Sequence, residues 1–190
     1  MQLKNLEDRI AMFLNLANFE SDACYNGLQV ESTTHVKKIA FAVSPTLTLI
    51  QEAARQGCDT LITHHGLYWR KQQAIATGVL GQRLSLLMKS SINLLSYHLP
   101  LDCHLEVGNN AQLGLQIPLQ SIKCDDNILP KGLVYTGRLD QDKLQLFDAL
   151  NKLGHYPCQV YDFSPTKKEY SVAWCTGSGA DFSAGAGCIP

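Results

Sequence analysis

The sequence lacks a C-x-x-C pair, a long apolar run and a secretion signal. Its seven cysteines stand at irregular spacings, which argues against a zinc ribbon or a dithiol redox motif and predicts free thiols in a reducing compartment. No stretch of ~18 apolar residues exists, so we expect no membrane-spanning helix. The N-terminal segment carries charges within its apolar pattern, unlike the apolar core of a signal peptide. Together these absences predict a cytoplasmic protein.

The sequence also has little excess charge of either sign. Its 16 Lys and Arg residues nearly balance its 17 Asp and Glu residues, for a formal net charge of -1. The longest basic runs are pairs such as Lys167 and Lys168, which are too short to be the basic footprint of a nucleic-acid polymer. The charge balance does not exclude binding of a small nucleotide, because a metal ion can supply the positive charge that its phosphates need.

Short apolar segments alternate with helical patterns along the first hundred residues. Apolar residues at spacings of three and four predict an amphipathic helix over residues 3–19. The run Lys38–Val43 is typical of a strand buried on both faces. Ser44 is the predicted N-cap of a helix that runs to about Gln56, with Pro45 in its first turn. The fold predicted from this alternation is α/β.

The same alternation continues and places polar residues where strands end. Strands are predicted at 59–63 and 92–97, with a helix at 81–89 between them, and this order implies parallel strands. Ligands gather at the carboxyl ends of such strands, where His64, His65, His98 and Asp102 stand. Further along, the patterns predict helices at 109–115 and 143–153 and strands at 131–139, 159–163 and 170–175.

The adjacent residues His64 and His65 are the first candidates for metal ligands. Neighbouring side chains on a strand point to opposite faces, so both can serve one site only where the chain turns. Gly66 is expected to allow that turn, because glycine tolerates a positive φ. The pair could serve one ion together or two neighbouring ions, one each. The alternative is a surface pair without a role.

His98 and Asp102 are the second pair of candidates. Imidazole and carboxylate are suitable ligands for Zn, Mn, Fe or Ni. His98 could instead orient a ligand or act in catalysis as a proton carrier. Asp102 could instead cap a turn, since a turn-like segment follows it.

Five segments of the chain resemble the family called GTP cyclohydrolase I type 2 homologues, also known as the domain-of-unknown-function 34 group. They are Asp22–Val30, Ile62–Gly66, Tyr97–Asp102, Gly108–Gln112 and Val172–Gly177. The resemblance runs in one order from residue 1 to about residue 179. It implies an α/β fold of two similar lobes with parallel or mixed sheets and flanking helices.

The resemblance also implies a function. In the family, the residues that match His64, His65 and Asp102 bind a pair of divalent metal ions. The activity it implies is metal-dependent hydrolysis of a nucleotide or related phosphate compound, a small-molecule substrate, by a ring-shaped homohexamer. There are two alternatives to this function. The chain could be a non-enzymatic metal-binding assembly or regulatory protein, or it could be an inactive truncated member of the family.

The sequence departs from the family pattern at its C-terminal end. Family members continue with a late His-x-x-x-Glu segment that supplies the remaining metal ligands, and nothing after Gly179 matches it. We therefore expect an N-terminal lobe with the metal motifs at 1–125 and a partial second lobe with an irregular tail at 126–190. The end of the chain is typical of a shortened or frameshifted reading frame. Because the remaining ligands are missing, we expect one ion or fewer per chain.

Overall fold

The computed structural model of the chain describes residues 1–140, 142–154, 157–161 and 169–177. The chain divides into two compact units, a first unit (Met1–Leu101) and a second unit (Asp102–Pro190). The boundary expected after residue 125 separates the two lobes that the family resemblance implies, and it stays a prediction.

The first unit contains a four-stranded mixed sheet in the order β1-β4-β3-β2. Strand β2 pairs with β3 and β3 with β4 in parallel, as the alternating pattern predicted, whereas β1 runs antiparallel to β4. Strand β1 was missed, because Asn26 and Gly27 predict a turn and Gly27 does adopt a positive φ of 105°. The strands are β1 Gly27–Val30, β2 Ile39–Ala42, β3 Thr60–Thr63 and β4 Asn93–Ser96.

The three predicted helices that flank this sheet begin or end differently from their predictions, and the one predicted at 81–89 begins three residues earlier, at Gly78. The first predicted helix ends at Phe13, and a short 3-10 helix, Leu16–Phe19, follows it. The N-cap of α2 is Thr46 and not Ser44, because the Thr46 hydroxyl accepts a hydrogen bond from the Leu49 amide. The α-helices are α1 Leu3–Phe13, α2 Leu47–Arg55, α3 Gly78–Lys89 and the single turn α4 Leu99–Asp102.

Alternating residues of the central strands build two cores, one on each face of the sheet. Leu61 and Leu94 pack with Ile50 of α2 and Leu87 of α3. On the other face, the neighbouring residues of β3 and β4 pack with α1, through Ile62, Leu95, Leu3, Leu6 and Ile10. This sandwich holds the carboxyl ends of β3 and β4 in fixed register.

The apolar run Lys38–Val43 predicted that strand β2 is buried on both faces, and this prediction was wrong. Strand β2 is one of the two edge strands of the sheet, and Phe41 is 76% exposed. A short apolar run is equally compatible with a central and an edge position, which explains the error.

The second unit contains a three-stranded antiparallel sheet in the order β5-β6-β7. Its core joins Tyr135 and Trp174 to residues of α5 and α6. Helix α6 has its predicted bounds, β6 begins four residues late, and β5 was missed. The elements are α5 Asn109–Gly114, β5 Gln120–Cys124, β6 Tyr135–Leu139, α6 Lys143–Leu153 and β7 Tyr170–Trp174.

Two predictions concern residues that the structure describes only in part. Residues 159–161 form no strand, and the rest of the strand predicted at 159–163 lies outside the described residues. The predicted irregular tail also lies outside them. Within the described part of the chain, no helix combines the length and apolar character needed to cross a membrane.

Candidate metal site

Two strand ends bring the candidate histidines of the first unit together. Beyond β3, the amides of His64 and His65 donate to the carbonyl groups of Ala42 and Val43 at 3.4 and 2.8 Å. On the other side of β3, the Tyr97 amide donates to the Thr63 carbonyl at 2.9 Å, so β4 leads directly to His98. Parallel strands thus place three imidazoles at one edge of the sheet, as the strand-end argument predicted.

A buried hydroxyl reinforces the two strand ends. Thr63, which is 2% exposed, donates from Oγ1 to the carbonyl oxygen of His65 at 2.8 Å. The same hydroxyl oxygen lies 2.9 Å from Oγ of Ser96, the residue opposite it on β4. These contacts hold the backbone on both sides of the histidines.

His64, His65 and His98 form one cluster. Each offers a ring nitrogen, and these atoms lie within 4.8 Å of one another. The ring centroid of His64 lies 4.7 Å from that of His65 and 5.0 Å from that of His98. All three residues are partly buried. The spacing allows a metal ion to lie among the rings.

Each of the three rings has a polar neighbour at Nδ1. His64 Nδ1 lies 3.2 Å from the Tyr97 carbonyl oxygen, and His98 Nδ1 lies 2.9 Å from the Asp22 carboxylate. A carbonyl and a carboxylate can only accept, so a neutral imidazole that bonds to them carries its proton on Nδ1. Its lone pair is then on Nε2, the arrangement found in metal-bound histidines.

His65 has a hydroxyl as its neighbour. Its Nδ1 lies 2.7 Å from Oγ of Ser44, and either atom can donate. Ser44 follows β2, so the edge strand also contributes to the support of the cluster. The prediction of Ser44 as a helix cap was wrong because its hydroxyl turns toward His65 instead.

The carboxylate beside His98 is fully buried. The side chain of Asp22 is 0% exposed and that of His98 is 18% exposed. Burial raises the pKa of Asp22, but hydrogen bonds from His98, Asn26 and the Cys24 amide outweigh it and hold the pKa below its usual value. Asp22 is therefore a buried anion that acts as an acceptor toward the ring.

Gly66 serves the site through its lack of a side chain rather than through a positive φ. Its φ is not among the positive values of the described residues. A Cβ at this position would collide with the Gln29 amide group and lie 2.9 Å from Cys24 Sγ. The absence of a Cβ lets the Gln29 side chain lie against the backbone of Gly66. In this position Gln29 Oε1 accepts a hydrogen bond from the Leu67 amide at 2.7 Å. The predicted reason for this glycine was wrong.

Trp69 forms an aromatic wall beside the cluster. Its ring centroid lies 5.1 Å from that of His98, edge to face, and 6.1 Å from that of His65. The indole N–H donates to the Gly66 carbonyl oxygen at 3.0 Å. This bond fixes the ring against the turn that follows β3.

Asp102, the predicted carboxylate ligand, is the first residue of the second unit. It is 4% exposed, and its Oδ1 accepts from Asn109 Nδ2 at 2.7 Å and from Thr176 Oγ1 at 3.2 Å. The neighbouring Asn110 accepts from the Thr176 amide at 2.6 Å. These contacts orient the Asp102 carboxylate, and its role as a metal ligand stays a prediction.

Three residues that support the candidate ligands were not predicted from the sequence. Asp22 and Thr176 stand within segments that carry the family resemblance, but nothing in the local pattern assigned either of them to His98 or Asp102. Ser44 was assigned to a helix. Their partners are distant along the chain, 76 residues in the case of Asp22 and His98.

Comparison with known proteins decides the family. A model of the family described as Duf34/NIF3 (NGG1p interacting factor 3) matches residues 1–188. The chain belongs to this family. A Buchnera aphidicola protein named GTP cyclohydrolase 1 type 2 homolog is 38% identical over 181 residues, which span 93% of this chain and 70% of the relative. The resemblance inferred from the sequence segments is thereby confirmed.

Solved structures of Duf34/NIF3 relatives have the same fold. The protein ybgI, whose function is described as unknown, is 36% identical and superposes with a TM-score of 0.86, over 98% of this chain and 74% of that protein. The protein TTHA1606 from Thermus thermophilus is 31% identical with a TM-score of 0.83, over 97% of this chain and 74% of that protein. The predicted mixed α/β fold is confirmed.

Proposed function

We propose that the chain binds a divalent metal ion and belongs to a metal-dependent hydrolase that acts on a nucleotide or related phosphate compound. One observation carries the metal part of the proposal: three imidazoles converge, and each has a polar partner at Nδ1. The names of relatives as GTP cyclohydrolase homologues support the choice of a nucleotide.

The donor set fits a metal of borderline softness. Imidazole suits Zn, Fe and Ni, and a carboxylate adds Mn to the range. His64 and His65 are the proposed nitrogen ligands, with Asp102 as the carboxylate that the family resemblance implies. The resemblance also implies two ions, for which the adjacent rings of His64 and His65 could serve one each.

His98 completes the nitrogen set. With its proton held on Nδ1 toward Asp22, its lone pair is on Nε2, the nitrogen that we propose serves the site. That lone pair would serve either as a third nitrogen ligand or as the acceptor of a proton from water. The metal affinity of His98→Ala separates the two roles, because loss of a ligand lowers the affinity and loss of a proton carrier does not.

The chain's own residues would orient and shelter the reaction. A divalent ion, when bound, acts as a Lewis acid and lowers the pKa of water to about 7. Trp69 packs beside His65 and His98 and would limit the access of bulk water on that side. Asp22 stabilises a proton on His98 Nδ1 and would also stabilise the imidazolium if Nε2 accepts another proton.

The proposal includes the assembly and compartment that the sequence predicted. The family resemblance implies a homohexamer, and the absences in the sequence favour the cytoplasm. Size-exclusion chromatography with light scattering tests the assembly. A mass of six chains is expected, and a stable monomer at micromolar concentration would overturn this part.

Metal-dependent turnover tests the hydrolase proposal. Purified protein is stripped with a chelator, reloaded separately with Zn, Mn, Fe(II) or Ni, and incubated with GTP and other nucleotides while phosphate and formate release are measured. We expect turnover only after reloading, its loss in His65→Ala and its retention in His35→Ala, since His35 is exposed and outside the cluster. Metal binding without turnover of any nucleotide would favour the non-enzymatic alternative.

A further inference from the structure

A loop clamp holds the end of β4 beside the histidine cluster. Asp22 Oδ2 accepts from the Leu99 amide at 3.0 Å and from Asn26 Nδ2 at 2.8 Å. Asn26 in turn accepts from the His98 amide at 2.7 Å. The loop 22–26 therefore binds both the backbone and the ring of the segment that begins with His98.

The Asp22 carboxylate is the acceptor in each of its hydrogen bonds described here. Besides the contacts of Oδ2, Oδ1 lies 3.1 Å from the Cys24 amide and 2.9 Å from His98 Nδ1. A carboxylate satisfies four donors at once, whereas an amide of the same shape presents an NH₂ group to one pair of them. The contacts of Asp22 therefore favour the His98 tautomer that carries its proton on Nδ1.

We propose that Asp22 is a positioning residue that fixes the Nδ1–H tautomer and the ring orientation of His98, so that Nε2 presents its lone pair to the metal site. The inference rests on the proposed function for its metal part. The tautomer part stands on the hydrogen bonds of the loop clamp alone.

The physical basis is the choice between two tautomers of neutral imidazole. Without a partner, either ring nitrogen can carry the proton and the ring can rotate. A buried carboxylate accepts a charge-assisted bond that is shorter and stronger than a neutral one. Outer carboxylates of this kind orient metal-binding histidines, and their loss costs about 10–100-fold in metal affinity.

The simpler alternative is that Asp22 only ties down its loop. The first unit offers a matched control for this role at the other end of β3. Asp59 Oδ2 accepts from the Lys37 and Lys38 amides at 2.8 and 3.2 Å, and Thr60 also donates to its Oδ1. Asp59 thus clamps a loop with no histidine among these contacts.

The first experiment uses the unaltered, metal-free chain. Long-range ¹H–¹⁵N correlation spectra of the histidine rings, recorded above the ordinary histidine pKa of about 6.5, identify which nitrogen carries the proton. We expect His98, assigned by comparison with His98→Gln, as the Nδ1–H tautomer. An Nε2–H tautomer or an equal mixture would overturn the proposal without any variant of Asp22.

The second experiment compares Asp22→Asn with Asp59→Asn. We expect Asp22→Asn to shift His98 toward the Nε2–H tautomer and, if His98→Ala has identified His98 as a metal ligand, to lower Co²⁺ affinity about 10–100-fold in an absorption titration. Asp59→Asn should keep the tautomer and the affinity even if its unfolding midpoint falls. Equal tautomers and affinities in the two variants would reduce Asp22 to a loop clamp and contradict the proposal.

The readouts separate this inference from the proposed function. If the unaltered chain binds no metal but holds His98 as Nδ1–H and Asp22→Asn changes it, the proposed function fails and the positioning role stands. If the chain binds metal and the tautomer is the same in Asp22→Asn, the positioning role fails alone. Asp22→Glu, which keeps the charge on a longer side chain, is expected to restore part of the Nδ1–H population.

Discussion

Nδ1 of His64 lies 3.2 Å from the carbonyl oxygen of Tyr97, and this contact joins the carboxyl ends of β3 and β4. Because a carbonyl oxygen cannot donate, the contact selects the imidazole tautomer that leaves a lone pair on Nε2. The cluster is thus built partly from backbone that the parallel pairing of the two strands brings together. Its geometry depends on the register of the sheet.

The Ser44 hydroxyl is expected to support metal binding through His65. Ser44→Ala removes the contact of 2.7 Å to His65 Nδ1 and should weaken Zn or Co²⁺ affinity by about tenfold. The matched control is Thr46→Ala, two residues further on, which removes the N-cap of α2 and should cost ~1 kcal/mol of stability. Calorimetric metal titration and urea unfolding of both variants give the two readouts. Equal metal affinities would refute the role of Ser44.

A side chain at position 66 is expected to destabilise the first unit. In Gly66→Ala, the new methyl group meets the Gln29 amide group and Cys24 Sγ, and overpacking of this kind costs about 1–3 kcal/mol. Gly57→Ala is the comparison, since a Cβ there meets open space but the φ of 69° is strained. Replacement of Cys24 by alanine should relieve part of the cost at position 66 and none at position 57. Additive effects at position 66 would contradict the collision.

The buried thiol of Cys24 is expected to make stability depend on alkaline pH. Burial raises the pKa of Cys24 to about 11 from an ordinary value of 9.0. Above pH 9 the unfolded chain therefore loses this proton before the folded chain does, and stability falls as the pH rises toward about 11. The urea midpoint of the native chain should fall more steeply over that range than that of Cys24→Ala. Parallel pH profiles would show that the thiol does not contribute.

Asp102 is expected to bind metal through a carboxylate that the second unit orients. Asp102→Asn keeps the size of the side chain and should lower metal affinity more than about tenfold. Asp142→Asn, at the N-cap of α6, is the control and should have no effect, since asparagine caps helices as well as aspartate does. Removal of the Thr176 hydroxyl by Thr176→Val should give an intermediate loss. An unchanged affinity in Asp102→Asn would remove it from the ligand set.

Much of the fold could be predicted because regular elements leave a periodic trace. Helix α6 has the predicted bounds, and the parallel β2-β3-β4 order follows from the alternation of strands and helices. The pattern failed for β1 and β5. Strand β1 starts at a glycine with a positive φ, and three of the five residues of β5 are exposed, so neither strand has a clear apolar alternation.

The position of the candidate site could be predicted from the sequence, but the hydrogen bonds that support its histidines could not. Parallel strands place the residues that follow them at one edge, which brought His64, His65 and His98 together. The supporting contacts depend on side-chain direction over long separations, as between Asp22 and His98. Gly66 illustrates the limit: the residue was singled out correctly, but its reason is the closeness of Gln29, which only the packed structure reveals.

Metal content most directly tests the central claim that the histidine cluster binds a divalent ion. The full chain and the variants His65→Ala and His35→Ala are incubated with Zn, Mn, Fe(II) or Ni, desalted and analysed by inductively coupled plasma mass spectrometry. We expect about one ion per chain for the unaltered protein, as for an open three-ligand site, with the same content in His35→Ala and a sharp fall in His65→Ala. Equal metal content in all three proteins, or none in the unaltered chain, would contradict it.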